Sequence, residues 1–220
     1  MTGLKPFLRP HPRSYMERPV DRLPIKQRFL IVCEGERTEP HYFERFPIPK
    51  DSVIDVRGMG ANTESLIRIA IKLRDKAWEE ESTIYNQVWC VFDRDSFSAE
   101  NFNAAFRLAK KNKVRIAYSN EAFELWYVLH FIYLDTGISR EDYNHRLSEL
   151  LGHNYEKKSR TIYEELFPNQ KIAIQRAKTL YAKYQPKNPE RDKPSTTVHL
   201  LVEKLNGLNW ENRKGKNKGR

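Results

Sequence analysis

Gln87-Val-Trp-Cys-Val-Phe-Asp-Arg-Asp95 is the stretch on which the fold turns. From Val88 to Phe92 it is apolar without alternation, the pattern of a strand covered on both faces. The run stops where the acids begin, at Asp93 and Asp95. Upstream, Arg28-Phe-Leu-Ile-Val-Cys33 repeats the pattern and ends on Glu34-Gly35. Val53 to Arg57 gives another strand, and Val114 to Tyr118 a fourth that ends in Ser119-Asn120-Glu121. Helical signals fill the intervals. Thr38, as an N-cap before Glu39 and Pro40, opens a short helix to about Phe46. After a loop over 58–62, Leu66, Ile67, Ala70, Ile71, Leu73 and Ala77 recur at helical spacing up to Trp78, and Ser98 caps a helix reaching about Lys111. This alternation predicts an α/β fold, a parallel four-stranded sheet with helices on both faces.

Beyond Ala122 the strand signal ends. Phe123, Trp126, Tyr127, Leu129, His130 and Ile132 predict one helix, and further helices are expected over about 139–151, 161–167, 170–184 and 196–206. The polar, proline-rich loop 185–194 leads into Ser195-Thr196, read as the cap of the last helix. The expected organisation is a basic, Pro-rich and flexible N-terminal segment over 1–28, an α/β core over 29–134, a helical extension packed on it over 135–210, and a basic tail over 211–220.

The formal charge of +10 is unevenly placed: residues 1–28 hold seven Lys/Arg against two acids, and residues 211–220 hold five against one. The intervening chain is nearly neutral. Ends of this kind either hold nucleic-acid phosphate or simply keep the chain in solution. Cys33 and Cys90 each sit in an apolar run, away from any CxxC or His-flanked pattern, and read as small buried hydrophobes rather than disulfide or zinc ligands. No uncharged apolar stretch approaches the ~20 residues of a membrane span. A cytoplasmic protein without membrane contact is the expectation.

Side chains at the carboxyl ends of parallel strands face one crevice, where such sheets bind ligands. Three of the four strands end in acids: Glu34 after the first, Asp93 and Asp95 after the third, and Glu121 or Glu124 just past the fourth. Clustered carboxylates repel one another unless a cation joins them. All-oxygen donors with room for water and phosphate suit Mg²⁺ or Mn²⁺, and the implied chemistry is phosphoryl transfer or hydrolysis. The bland alternative is that strand-end acids are solvated loop residues or helix caps.

A Glu-Gly after one apolar strand, followed about sixty residues later by an Asp-x-Asp after another, resembles the Toprim domain of primases, topoisomerases and some nucleases, a Rossmann-like fold. A wider resemblance rests on Val32-Cys-Glu-Gly-Glu-Arg-Thr-Glu-Pro-His-Tyr-Phe43, Val91-Phe-Asp-Arg-Asp95, Ser119-Asn-Glu-Ala-Phe-Glu-Leu-Trp126 with Leu129-His-Phe131, and Pro194-Ser-Thr-Thr-Val-His199. Together these segments resemble the RloB family, small prokaryotic proteins linked to antiphage defence, with relatives in abortive-infection systems. The resemblance implies a metal-dependent nuclease acting on RNA, tRNA among its substrates, or on DNA, often encoded beside an ATPase partner. It carries Glu34 over as acid/base or metal ligand, Asp93 and Asp95 as the metal-binding pair, and Glu124 as a further acid completing the catalytic set. Nothing resembles a topoisomerase tyrosine domain, a gyrase-like ATPase or a primase zinc module, so hydrolysis is expected rather than strand passage.

Other residues have paired readings. Glu36 and Glu39 are metal ligands or, more commonly, first-turn acids that favour a helix dipole. Arg94 holds a phosphate or pairs with a neighbouring carboxylate. Ser119 and Asn120 position substrate or cap a helix. His130 reads as a hydrogen-bonded core histidine. Lys157, Lys158 and Arg160 form a basic cluster that binds nucleic-acid phosphate or is a solvated face. Arg94, Asn120 and Lys158 are carried forward as substrate-binding candidates. The rival to the nuclease is a non-catalytic sensor or interaction subunit of an ATPase-containing defence complex, in which the acids bind a cation or a partner's lysines.

Overall fold

The computed structural model describes residues 27–94 and 98–217, with side chains to Leu208. Asp95 therefore lies outside the described residues, as do most of the basic N-terminal segment and the end of the tail. In chain order the elements are β1 (Gln27–Cys33), α1 (Thr38–Glu44), β2 (Ser52–Gly58), α2 (Thr63–Glu81), β3 (Gln87–Asp93), α3 (Ala99–Lys111) and β4 (Arg115–Asn120). They continue with α4 (Glu124–Val128), α5 (Arg140–Leu151), α6 (Ile162–Leu166), α7 (Gln170–Ala182), β5 (Ser195–Thr196) and α8 (Val198–Asn217).

The sheet has five strands in the order β2-β1-β3-β4-β5. The first four are parallel, as the apolar runs predict. The fifth corrects the expected count of four: Ser195-Thr196 does not merely cap the last helix but pairs antiparallel with Ser119 and Asn120. Two polar residues carry no period of their own. Their strand exists because Ser119 Oγ and Thr196 Oγ1 lie 3.0 Å apart and Thr197 Oγ1 accepts the Tyr118 N–H at 2.9 Å.

Alternate residues of each strand feed two cores, which explains why the runs are apolar throughout. Leu30, Val32, Cys90, Phe92 and Tyr118 pack with α2 and α3. Phe29, Ile31, Cys33, Trp89, Val91 and Ala117 pack on the other face with residues of α1, α4 to α8 and their connections. α1 and the helical C-terminal part together thus cover one side of the sheet. Each large side chain removed from water there contributes ~1.5–3 kcal/mol before chain entropy is subtracted. Both cysteines are buried and free. No helix among the described residues is long and apolar enough to cross a membrane.

Local signals account for several boundaries. Asn62 Oδ1 accepts the Ser65 N–H at the start of α2, and Ser98 caps α3 as predicted. α5 begins with a capping box between Ser139 and Asp142. Two expectations change. Thr38 makes no cap; its hydroxyl donates to the Lys157 carbonyl at 3.2 Å. The single helix expected through Ile132 is α-helical only over Glu124–Val128, after which the backbone tightens into i→i+3 bonds at His130 and Phe131. Glu124 through His130 are all buried, so this segment is enclosed on every side rather than lying on a surface with one apolar stripe.

Candidate functional site

Parallel pairing sets Glu34 beside the end of β3. The Glu34 N–H extends the ladder by donating to Val91 O at 2.8 Å. Its side chain then turns toward Asp93, whose N–H donates to Glu34 Oε2 at 3.1 Å. Asp93 stands opposite Ser119 of β4, and the chain leaving β4 brings in Glu124 at the first position of α4. Glu34, Asp93 and Glu124 consequently line one cavity of about 230 Å³, together with Gly35, Thr38, Glu39, Phe123, Arg140 and Lys157.

Glu39 turns inward rather than toward solvent. It is 5% exposed, and its Oε1 accepts the Gly35 N–H at 3.3 Å. A Cβ at position 35 would lie 2.2 Å from Glu39 Oε2, so any larger residue there would push the Glu39 carboxylate from this place. Glu124 is equally enclosed: Tyr155 donates its phenolic O–H to Glu124 Oε1 at 3.3 Å, and Lys157 Nζ stands 3.7 Å from the same oxygen. Arg140 Nη2 donates to Asp93 Oδ2 at 3.2 Å. Asp93 Oδ1 is buried and has no hydrogen-bond partner among the described residues.

Four carboxylates therefore face two cations in one cavity. Burial is the main reason Asp93 holds its proton well above the usual carboxylate range, with Glu39, Glu124 and Glu34 adding repulsion and Arg140 opposing it. Burial likewise pushes Glu39 up to about 7, its backbone hydrogen bonds opposing and Glu124 and Glu34 adding to the rise. Stored repulsion of this kind is relieved by a proton or by a cation. Among the described residues, no three His, Cys, Asp or Glu side chains stand close enough together to form a ready-made metal shell. Asp93 and Glu124 each face a cationic side chain of the chain itself.

The remaining candidates lie elsewhere. Past Asp93 the strand's alternation sends Arg94 to the other face, where its guanidinium lies 5.4 Å from the centre of the Phe102 ring. Asn120 is buried in the β4–β5 pairing. Lys158 is exposed and 3.4 Å from Glu156, Glu36 is exposed, and Glu121 pairs with Lys193. His130 is a core residue, its Nδ1 2.9 Å from Trp126 O and its ring edge-to-face with the Trp126 indole. The sequence carries no sign of Arg140 at the cavity or of Tyr155 behind Glu124, and marks Lys157 only as part of a basic cluster. No local signal marks them, since they come from the helical part and meet the acids only through packing.

The fold and cavity define an α/β protein with carboxylates gathered at the carboxyl edge of a mostly parallel sheet and closed over by a helical C-terminal part. The profile of the family described as RloB-like protein matches residues 29–205, most of the chain, and the chain belongs to that family. Searches of curated proteins and of solved structures find no match.

Proposed function

We propose that this protein is a divalent-metal-dependent nuclease that hydrolyses phosphodiester bonds in RNA, transfer RNA included, or in DNA, and acts as an effector of prokaryotic antiphage defence. The observation that carries this reading is the meeting of Glu34, Asp93 and Glu124 in one cavity, brought there by the ends of β1 and β3 and by the start of α4. Membership of the RloB-like family supports the defence setting. We read the sheet as Toprim-like on the strand-end Glu-Gly and Asp-x-Asp.

The donors fit a hard cation. All are carboxylate oxygens, which suit Mg²⁺ or Mn²⁺, and buried Asp93 Oδ1 has no hydrogen-bond partner among the described residues. Glu34 and Asp93 would hold the metal with Asp95, which lies outside the described residues. When bound, such an ion polarises a phosphate oxygen and makes water acidic enough to attack. The chain's own part is orientation and proton handling. The Asp93 N–H fixes one oxygen of Glu34, leaving that carboxylate aimed as ligand or base, while Tyr155 holds Glu124 at the inner wall. The helical extension over 135–210 brings Tyr155 to the core over 29–134, and we place the protein in the cytoplasm beside an ATPase partner.

One observation favours the rival, a sensor or interaction subunit without catalysis: Asp93 and Glu124 already face Arg140 and Lys157. The test is incubation of the purified protein with Mg²⁺ or Mn²⁺ and single- and double-stranded RNA, tRNA and DNA. Metal-dependent cleavage that Asp93→Asn abolishes is the expected result. If no substrate is cut and Asp93→Asn still binds the ATPase normally, the interaction subunit is the correct description.

A further inference from the structure

The two edges of the sheet are built differently. β5 ends one side as a strand of two residues directly after Pro194. β2 ends the other as seven residues in unbroken register with β1, from Ser52 opposite Gln27 to Gly58 opposite Cys33. A strand turns the N–H and C=O of alternate residues toward one neighbour and those of the residues between toward the other side. The Met59 N–H donates to Cys33 O at 3.0 Å. Val53, Asp55 and Arg57 are therefore the residues of β2 that bond to β1, and the N–H and C=O groups of Ile54, Val56 and Gly58 point outward. Among the described residues no strand receives them. Free edges template pairing with another chain and are ordinarily blunted by a very short strand, Lys, Pro or a bulge. Ser52-Val-Ile-Asp-Val-Arg-Gly58 has none of these devices.

The side chains of β2 match a second copy of the same strand. Antiparallel pairing through the outward groups, about a two-fold axis, sets Val56 opposite Val56 of the second copy and Ile54 opposite its Gly58. Asp55 then stands opposite Arg57 of the second copy, and Arg57 opposite its Asp55, at the closely spaced positions where cross-strand side chains meet. Sliding the register by two residues either way would oppose Asp55 to Asp55 or Arg57 to Arg57, which like charge disfavours. Neither group has to give up a contact it holds. Arg57 Nε lies 2.8 Å from Asp55 Oδ1 and Tyr85 donates to Asp55 Oδ2 at 2.7 Å, so pairing turns two such ion pairs into a square of alternating charge. On the opposite face Ile54 and Val56 border a groove with Phe43, Phe46 and Ile48, and the second copy extends that apolar surface with its own Ile54 and Val56.

We propose that β2 is a homodimer interface, through which two copies of this chain join edge to edge into one continuous sheet. The closed interface is isologous, the form that two-fold pairing of one strand with itself requires. Antiparallel pairing reverses strand direction, so the two carboxylate cavities open on opposite edges of the joined sheet, each lined by residues of its own chain. The pairing does not depend on the nuclease reading.

The test is sedimentation velocity of the full chain over a concentration series, with circular dichroism to check the fold. Wild type should dimerise. Arg57→Asp and Asp55→Arg each set like charges opposite one another, and each should raise the dimer dissociation constant about tenfold or more, since two cross-strand pairs change from attraction to repulsion. Mixing the two variants pairs acid with base at both positions, so the mixture should form a heterodimer at a concentration where neither variant dimerises alone. A wild type that stays monomeric, single variants that dimerise as wild type does, or no recovery on mixing would each overturn the proposal. Hydrogen exchange of wild type gives a reading that needs no substitution: the amides of Ile54, Val56 and Gly58 should become protected as the dimer forms. Exchange at these amides that does not change with dimerisation would place the interface elsewhere, and protection in the monomer would show that another segment of the chain covers the edge; either result would also overturn the proposal.

Discussion

The main-chain N–H of Asp93 donates to Glu34 Oε2 at 3.1 Å, joining residues 59 positions apart in the chain. Two strand ends are thereby locked together through the side chain of one and the backbone of the other. Glu34→Gln and Asp93→Asn both preserve an acceptor and a donor at this junction, so each should fold with a melting temperature close to wild type. Metal-dependent cleavage should fall about 100-fold or more, or ~2.7 kcal/mol of barrier. Activity within a factor of three of wild type in both variants would remove these residues from the chemistry.

Gly35→Ala would set a Cβ 2.2 Å from the buried Glu39 carboxylate. Relief requires Glu39 to leave its place against the Gly35 N–H, with an expected loss of about 1–3 kcal/mol of stability in urea unfolding. Adding Glu39→Ala makes room, so the double variant should recover at least ~0.5 kcal/mol relative to the sum of the single changes. Strict additivity would show that the two residues do not press on each other.

Tyr155→Phe deletes the hydroxyl that bonds Glu124 inside the cavity. A buried carboxylate oxygen left without its donor costs about 1–3 kcal/mol, read as a lower unfolding free energy in EDTA. If Glu124 lies in the metal's field, saturating Mn²⁺ should return part of that loss. An unfolding free energy equal to wild type in EDTA would mean the contact contributes nothing.

Burial holds His130 down at about 4 from the ordinary 6.5, hydrogen bonds to Trp126 and Tyr127 opposing and the Arg176 charge adding to the depression. A histidine depressed in the folded state contributes stability that is present above its unfolded value near 6.5 and is lost as pH falls through 4. Glu39 and Asp93 are raised instead, so they act with opposite sign, and the readout must be a difference between variants. His130→Asn keeps a donor for the Trp126 carbonyl. Wild type should exceed it in stability by a margin that shrinks by about 3 kcal/mol between pH 6.5 and pH 4. A margin independent of pH would show that His130 titrates normally in the folded protein.

The four parallel strands and the helices between them were legible in local sequence: unbroken apolar runs for strands covered on both faces, spacing of three and four for α2, and a serine cap for α3. The sequence by itself also determined that acids stand at strand ends, since parallel strands share one carboxyl edge. Tertiary structure alone decided the rest. β5 is two polar residues that become a strand only against Ser119 and Asn120. α4 spans only Glu124–Val128, and its residues are buried on every side, so no one-faced apolar stripe marks its bounds. Glu39 faces inward because Gly35 leaves room for it, where first-turn acids ordinarily face water. Arg140, Tyr155 and Lys157 arrive at the acids from a separate helical part. Such long-range meetings depend on how whole elements pack, and no window of neighbouring residues contains that information.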